Sequence, residues 1–191
     1  IAGGSLGLVA GVALARRGLR VMLFDRDRVG AAHREWNISE RELASLERWG
    51  IFTHDEIAGT IATRYSRGLI AFHPEGTGVP YCPLTTHGVL DVALDAQLVL
   101  DLARTRFLEA GGTILENHAF KKLWLSESAV TIRRSKRSTE RTPHSVIELA
   151  GPDRPRLYDT RRVIDTLGSV PRIAFGLHHG PRSDGVCLSV R

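Results

Sequence analysis

The apolar positions of this chain change their period part-way along it. Val21-Met22-Leu23-Phe24 is an unbroken apolar run closed by Asp25, the pattern of a parallel strand buried on both faces. Before it, Ile1-Ala2 reads as the end of another strand. Gly3-Gly4-Ser5-Leu6-Gly7 follows, then a small-residue helix over residues 6–17, with Gly18 at the C′ position that ends it. Ser39 with Glu42 is a capping box, opening a helix that sets Leu43 and Leu46 on one face. Thr53 with Glu56 repeats the signature for a second helix, expected to carry Ile57 and Ile61. Residues 66–88 are rich in Gly and Pro and read as a long loop. Asp95 then caps a longer helix through Leu98, Val99, Leu102, Ala103 and Ala110, stopped by Gly111-Gly112.

Beyond Gly112 the pattern shortens to that of strands. Residues 113–117, 123–126, 129–133 and 146–149 predict short strands joined by polar turns, a β-meander. Residues 162–165 predict a returning strand that leads into Gly168. The order implies an α/β architecture with an antiparallel insertion. It divides into a βαβ start with a helical segment (1–112), the meander (113–158), and a returning strand with the start of a further part (159–191). Both ends fall within apolar strand patterns, so the chain is expected to be cut at each end.

The candidate chemistry sits in the first turn. Counting back along the helix, Ala2, Gly4 and Gly7 fall in the three glycine slots of G-x-G-x-x-G, the dinucleotide-binding fingerprint. Gly4 lets the backbone approach a pyrophosphate, and Gly7 lets the helix pack closely on its sheet. The helix N-terminus offers N–H groups and a positive dipole end to phosphates. The Ser5 hydroxyl would meet a phosphate there, since Gly4-Ser5-Leu6-Gly7 is not the G-x-S-x-G of a nucleophile. Asp25 ends the second strand roughly 20 residues on, where an acid accepts hydrogen bonds from the adenosine ribose. An acid there favours FAD or NAD over NADP. Candidate cofactor contacts are therefore Gly3, Gly4, Ser5, Leu6, Gly7, Asp25 and its neighbour Arg26.

An NAD-binding unit would continue promptly into another strand–helix repeat. Here helices, a loop and a meander intervene before Val163-Ile164-Asp165-Thr166-Leu167-Gly168 returns. That order resembles the glutathione-reductase-type FAD-binding Rossmann fold with a β-meander insertion, present here incompletely. The resemblance implies FAD as cofactor and sets Asp165 and Gly168 at a strand end passing near it.

Four motifs narrow the resemblance. They are Gly3-Gly4-Ser5-Leu6-Gly7, Arg34-Glu35-Trp36-Asn37-Ile38-Ser39, Phe107-Leu108-Glu109-Ala110-Gly111-Gly112 and Asp184-Gly185-Val186-Cys187-Leu188, in one order. Together they resemble the Cru-type lycopene cyclases, the CruA and CruP group. Asp25 stands where that family more often has Glu, and Ala31-Ala32-His33 where it has Gly-Arg-Glu. The resemblance implies an FAD-dependent, redox-neutral cyclisation of lycopene ends to β-ionone rings. It implies a hydrophobic carotene substrate, peripheral contact with a photosynthetic membrane, and a plastid or bacterial cytoplasmic location. Trp36 and Asn37 become candidate flavin or substrate contacts, against a plainer reading as a helix anchor and a turn former. Glu35 and Asp165 are the candidate catalytic acids. The catalytic group itself is otherwise undetermined, and the chain alone is expected to bind FAD weakly and to be inactive. Two alternatives stay open. One is an FAD-dependent oxidoreductase or monooxygenase on a hydrophobic substrate; the other is a non-catalytic cyclase paralogue, to which the Ala31-Ala32-His33 departure points.

Composition changes this picture little. At 191 residues, 42% hydrophobic and 25% charged, the chain has the make-up of a globular domain. No apolar run approaches the roughly 20 residues of a membrane span. Among 26 basic residues only Lys121, Lys122 and Lys136 are lysines, and the net charge is +5. The arginines are scattered without interleaved aromatics, and the one basic cluster, Arg133-Arg134-Ser135-Lys136-Arg137, falls at an expected hairpin tip. No nucleic-acid partner is expected. Cys82 and Cys187 are too few for a disulfide framework or zinc site. His178-His179 lacks a third ligand at metal spacing, so no metal is expected.

Overall fold

The computed structural model describes residues 1–32, 35–71, 76, 78, 80–124 and 145–167. The first part of the chain holds α1 (Leu6–Ala15), β1 (Met22–Phe24), β2 (Trp36–Ile38), α2 (Glu40–Arg48), α3 (His54–Ala58) and β3 (Ile61–Arg64). Then come β4 (Gly68–Ile70), β5 (Leu84–Thr86), β6 (Val92–Leu94) and α4 (Ala96–Glu109). β7 (Thr113–Leu115), β8 (Ala119–Trp124), β9 (Ser145–Ala150) and β10 (Pro155–Thr160) complete the described elements. They form two units, one of residues up to Gly30 and from Phe107 onward, the other Ala31–Arg106.

The first unit is built on parallel strands. β1 pairs with β7 in the register Met22 to Thr113 and Phe24 to Leu115. Ala2 bridges Phe24 on one side and Asp165 on the other, both parallel. The lateral order is thus β7, β1, Ala2, Asp165. Side chains alternate across this sheet. Leu23 faces α1, where a Cβ on Gly7 would lie 3.6 Å from its Cδ1. Met22 and Phe24 face the other way, packing with Ile147, Leu149, Phe120, Leu123 and Tyr158 of the β8–β9–β10 meander. A helix on one face and an antiparallel sheet on the other bury Leu23 and Phe24 of β1. Phe107, fully buried, fills the hollow left by two glycines: a Cβ would come within 3.0 Å of its ring at Gly11 and 2.4 Å at Gly112.

The second unit centres on β6, whose Val92, Ala93 and Leu94 are all buried between antiparallel β2 and β3. Both capping boxes form. Ser39 and Glu42 exchange bonds at the start of α2, and Thr53 and Glu56 do so at α3. Asp95 Oδ1 accepts from the Leu98 amide at 3.0 Å at the start of α4. Glu56 also pairs with Arg106.

Several expectations need correction. Ile61 opens β3 rather than continuing a helix, because Thr60 folds back, its amide and hydroxyl both bonding Ile57 O. Residues 66–88 are not all loop, since β4 and β5 pair within them. β7 was expected in the meander, yet it joins the parallel sheet; an apolar triplet carries no mark of which partner it takes. β10 went unpredicted, and of the expected strand 123–126 Leu123 and Trp124 end β8, while 125–126 lie outside the described residues. Leu98 is 50% exposed, off the buried face of α4 that carries Val99, Leu100 and Ala103. The expected strand 129–133 lies outside the described residues, as do Cys187, His178 and His179. Among the described residues no helix is long and apolar enough to cross a membrane.

Candidate dinucleotide site

The site is assembled where the Ala2 segment ends, between two strand ends that carry acids. Gly3 leaves the sheet with φ +102°, a region side chains rarely adopt. Its amide bonds Phe24 O at 3.0 Å, and a Cβ there would lie 2.5 Å from Thr166 O. The fingerprint's first slot is thus held by a fully buried strand residue, Ala2, and the turn itself falls on Gly3. Gly4 sits over the end of β1: a Cβ would stand 3.2 Å from Asp25 Oδ2 and 3.5 Å from Gly30 N. Gly7 lies against the returning segment, where a Cβ would meet Thr166 Oγ1 at 2.6 Å; the expected strand 162–165 is there only as a single parallel bridge at Asp165. Thr166 thus closes off both Gly3 and Gly7, while Gly4 faces Asp25.

Ser5 occupies the N-cap of α1, but its side chain makes no capping bond. The first turn contains no acid, so its own side chains leave the positive end of the helix uncompensated. Leu6, 70% exposed, stands at the mouth of the turn. Such a bare helix start beside glycine backbone suits a pyrophosphate.

Asp25 is fixed from below and open above. Its amide bonds Leu115 O at 3.1 Å and its carbonyl accepts from His118 N at 2.8 Å. Oδ1 accepts from Asp27 N at 3.0 Å, which turns the carboxylate back over Gly4. Arg26 is drawn to the surface by Asp27, Nε to Oδ2 3.0 Å, with both side chains about three-quarters exposed. Glu116 Oε1 accepts from Val29 N at 3.0 Å and so shapes the turn after Asp25. Glu116 was not singled out in the sequence, although an acid just past a strand end is a signal that could have found it.

On the other side, Asp165 Oδ1 accepts from Leu167 N at 3.0 Å, while Oδ2 is buried and has no hydrogen-bond partner among the described residues. A buried carboxylate oxygen without a donor is costly, and an external hydroxyl or amide would relieve it. Gly168 lies outside the described residues. Thr166, whose hydroxyl bonds Ala2 O at 2.6 Å, also escaped the sequence reading, and nothing local marks it.

The remaining candidates belong to the second unit. Trp36 lies half-buried on β2 opposite Leu94, and Asn37 is exposed opposite Ala93. Asn37 is therefore a strand residue and not a turn former. Glu35 precedes β2 and is exposed. The structure thus brings together Gly3, Gly4, Ser5, Leu6, Gly7, Asp25 and Asp165. Among the described residues no three His, Cys, Asp or Glu side chains cluster as metal ligands.

No family model matches the chain, and no curated protein matches it. Solved structures do. The chain is similar to the flavin-dependent monooxygenase PieE, solved with FAD and substrate, at 17% identity and TM-score 0.62, covering 92% of this chain and 31% of that one. It is similar to CabE, an aromatic hydroxylase from angucycline biosynthesis, at 20% identity and TM-score 0.59, over 92% and 32% of the two chains. It is also similar to CmlS, a flavin-dependent halogenase, at 16% identity and TM-score 0.59, over 86% and 28%. The fold is a mixed α/β fold like that of the FAD-binding flavoprotein monooxygenases. The chain spans about a third of the length of these neighbours.

Proposed function

We propose that this chain is the FAD-binding part of a flavoenzyme acting on a hydrophobic substrate. One observation carries the reading: a glycine turn and bare helix start lie between Asp25 and Asp165, and Asp165 holds a buried carboxylate oxygen that lacks a donor among the described residues. These residues fit the ADP half of FAD and the chain that leads to its flavin. Gly4, Ser5 and Gly7 would receive the pyrophosphate where Gly3 turns the backbone toward it, Asp25 the ribose hydroxyls, and Asp165 Oδ2 a cofactor hydroxyl. Bound FAD would supply the electron-rich ring system of the reaction, and the residues described here bind and orient it.

The finer reading is a lycopene-cyclase-like enzyme that closes carotene ends to β-ionone rings without net redox change. The ordered Gly-Gly-Ser-Leu-Gly and Glu-Trp-Asn-Ile-Ser motifs support it. A carotene substrate would bring the protein to the edge of a photosynthetic membrane, in a plastid or a bacterial cytoplasm. A second reading, oxidation of a hydrophobic substrate, is supported by the likeness to CabE and PieE. One fold hosts all of these chemistries, so the fold does not choose among them.

Expression of the full-length protein in lycopene-accumulating bacteria separates the readings. Cyclic carotenes should appear if it is a cyclase. Unchanged pigment together with substrate-linked NAD(P)H consumption by the purified protein would select the oxidoreductase or monooxygenase reading. A protein that binds FAD and does neither would be a non-catalytic paralogue. Failure of the full-length protein to retain FAD would overturn the whole proposal.

A further inference from the structure

The residue that faces most of the glycine turn is Thr166. Its amide donates to Ala2 O at 2.8 Å, the ladder bond expected between parallel neighbours. Its hydroxyl donates to the same carbonyl at 2.6 Å, with Gly3 O a secondary acceptor at 3.3 Å. Thr166 O lies 2.5 Å from where a Gly3 Cβ would stand, and its Oγ1 lies 2.6 Å from where a Gly7 Cβ would stand. Two of the loop's glycines are therefore small because Thr166 occupies the space beside them. The bonded partners are 164 residues apart in the chain.

This arrangement has an electrostatic consequence. A glycine turn binds phosphate only while its N–H groups face the anion; a carbonyl turned the same way would repel it. Gly3 is free to flip because it lacks a Cβ. Its amide is tied to Phe24 O at 3.0 Å on one side. The Thr166 hydroxyl adds the restraint on the other, holding the Ala2 carbonyl and attracting that of Gly3.

We infer that Thr166 is a positioning residue for the dinucleotide: its hydroxyl holds the carbonyls of Ala2 and Gly3 on the strand side of the turn, leaving the N–H groups that follow Gly3 to the pyrophosphate. The inference rests on the FAD reading above. Thr166 need not touch the cofactor, and it acts through the loop.

The test uses the full-length apoprotein titrated with FAD, read by quenching of flavin fluorescence, with the ³¹P resonances of bound FAD as a local signature. Thr166→Val keeps the shape and removes the hydroxyl, Thr166→Ala removes both, and Thr166→Ser keeps the hydroxyl. Loss of one hydrogen bond's worth of preorganisation should weaken FAD binding about five- to tenfold in the Val and Ala variants. The ³¹P resonances should move with it, while Ser stays near wild type. Thermal unfolding of the apoproteins separates a positioning role from a structural one. If wild type binds FAD and the Val or Ala variant binds as tightly, the inference fails and the FAD reading stands. If Ser loses affinity as Val and Ala do, in step with apoprotein stability, the hydroxyl is not the cause and the inference fails. If Val and Ala do not fold, the Ser variant decides, since wild-type affinity and ³¹P positions are required of it. If wild type does not bind FAD, the reading beneath both is wrong.

Discussion

Gly3 and Gly18 provide a matched pair for separating backbone conformation from steric closure. Both have positive φ, +102° at Gly3 and +79° at Gly18. At Gly18 an added Cβ meets nothing within 4 Å. Gly18→Ala should therefore cost only the left-handed penalty, ~1–2 kcal/mol. At Gly3 the Cβ would also overlap three backbone atoms, Thr166 O at 2.5 Å, Thr166 C at 2.7 Å and Leu167 N at 3.0 Å. No rotamer change relieves such contacts, so the returning strand must move, adding about 1–3 kcal/mol of overpacking. Gly3→Ala should thus lose roughly 2–5 kcal/mol in total. Urea unfolding of wild type and both variants measures the difference, and FAD titration adds a second reading. Gly3→Ala should weaken FAD by displacing the turn, whereas Gly18→Ala, at the far end of α1, should leave it unchanged. Equal unfolding free energies for the two variants would refute the packing argument, because the shared φ cost would then account for everything.

Asp25→Ala should weaken FAD about 10- to 100-fold in an equilibrium titration, the worth of hydrogen bonds to a charged group, with little change in thermal unfolding. Phe107→Ala empties the hollow between Gly11 and Gly112 and should cost about 3–5 kcal/mol in a denaturant melt. Ser39→Ala removes the α2 cap and should cost about 1 kcal/mol at neutral pH. That loss should shrink in acid. The Ser39 side-chain bond, then the Ser39 backbone bond, hold the Glu42 carboxyl below its ordinary range. A depressed folded-state value stabilises above the unfolded value and is lost as pH falls through the folded one. Wild-type and variant melts between about pH 7 and about pH 3 should therefore converge, and parallel curves would count against the linkage.

Signals confined to one turn of chain were legible. Both capping boxes, the Asp95 cap, the C′ glycines at Gly18 and Gly111, and the acid ending β1 all stand where the pattern put them. Each depends on neighbours within about four residues, so composition and spacing suffice. Three-residue strands carry little period of their own: β1 and β7 were marked by a closing acid and a preceding glycine pair, β2 and β6 had no such marker, and Trp36-Asn37-Ile38 looked like a turn before a helix. β7 was recognised as a strand but assigned the wrong sheet, since pairing partners are chosen across space.

The site divides along the same line. From the sequence alone it was determined that a glycine turn, a small-residue helix and a strand-end acid follow one another, because the dinucleotide fingerprint is local. Only the tertiary structure decided that Gly3 carries the turn and that Thr166 fills the space its neighbours leave empty. It also decided that Asp165 arrives beside Ala2 with a buried oxygen unpartnered among the described residues. Those facts require a strand from the far end of the chain to lie against its beginning, a juxtaposition created when Met22, Phe24, Ile147 and Leu149 bury together and bring distant backbone into register.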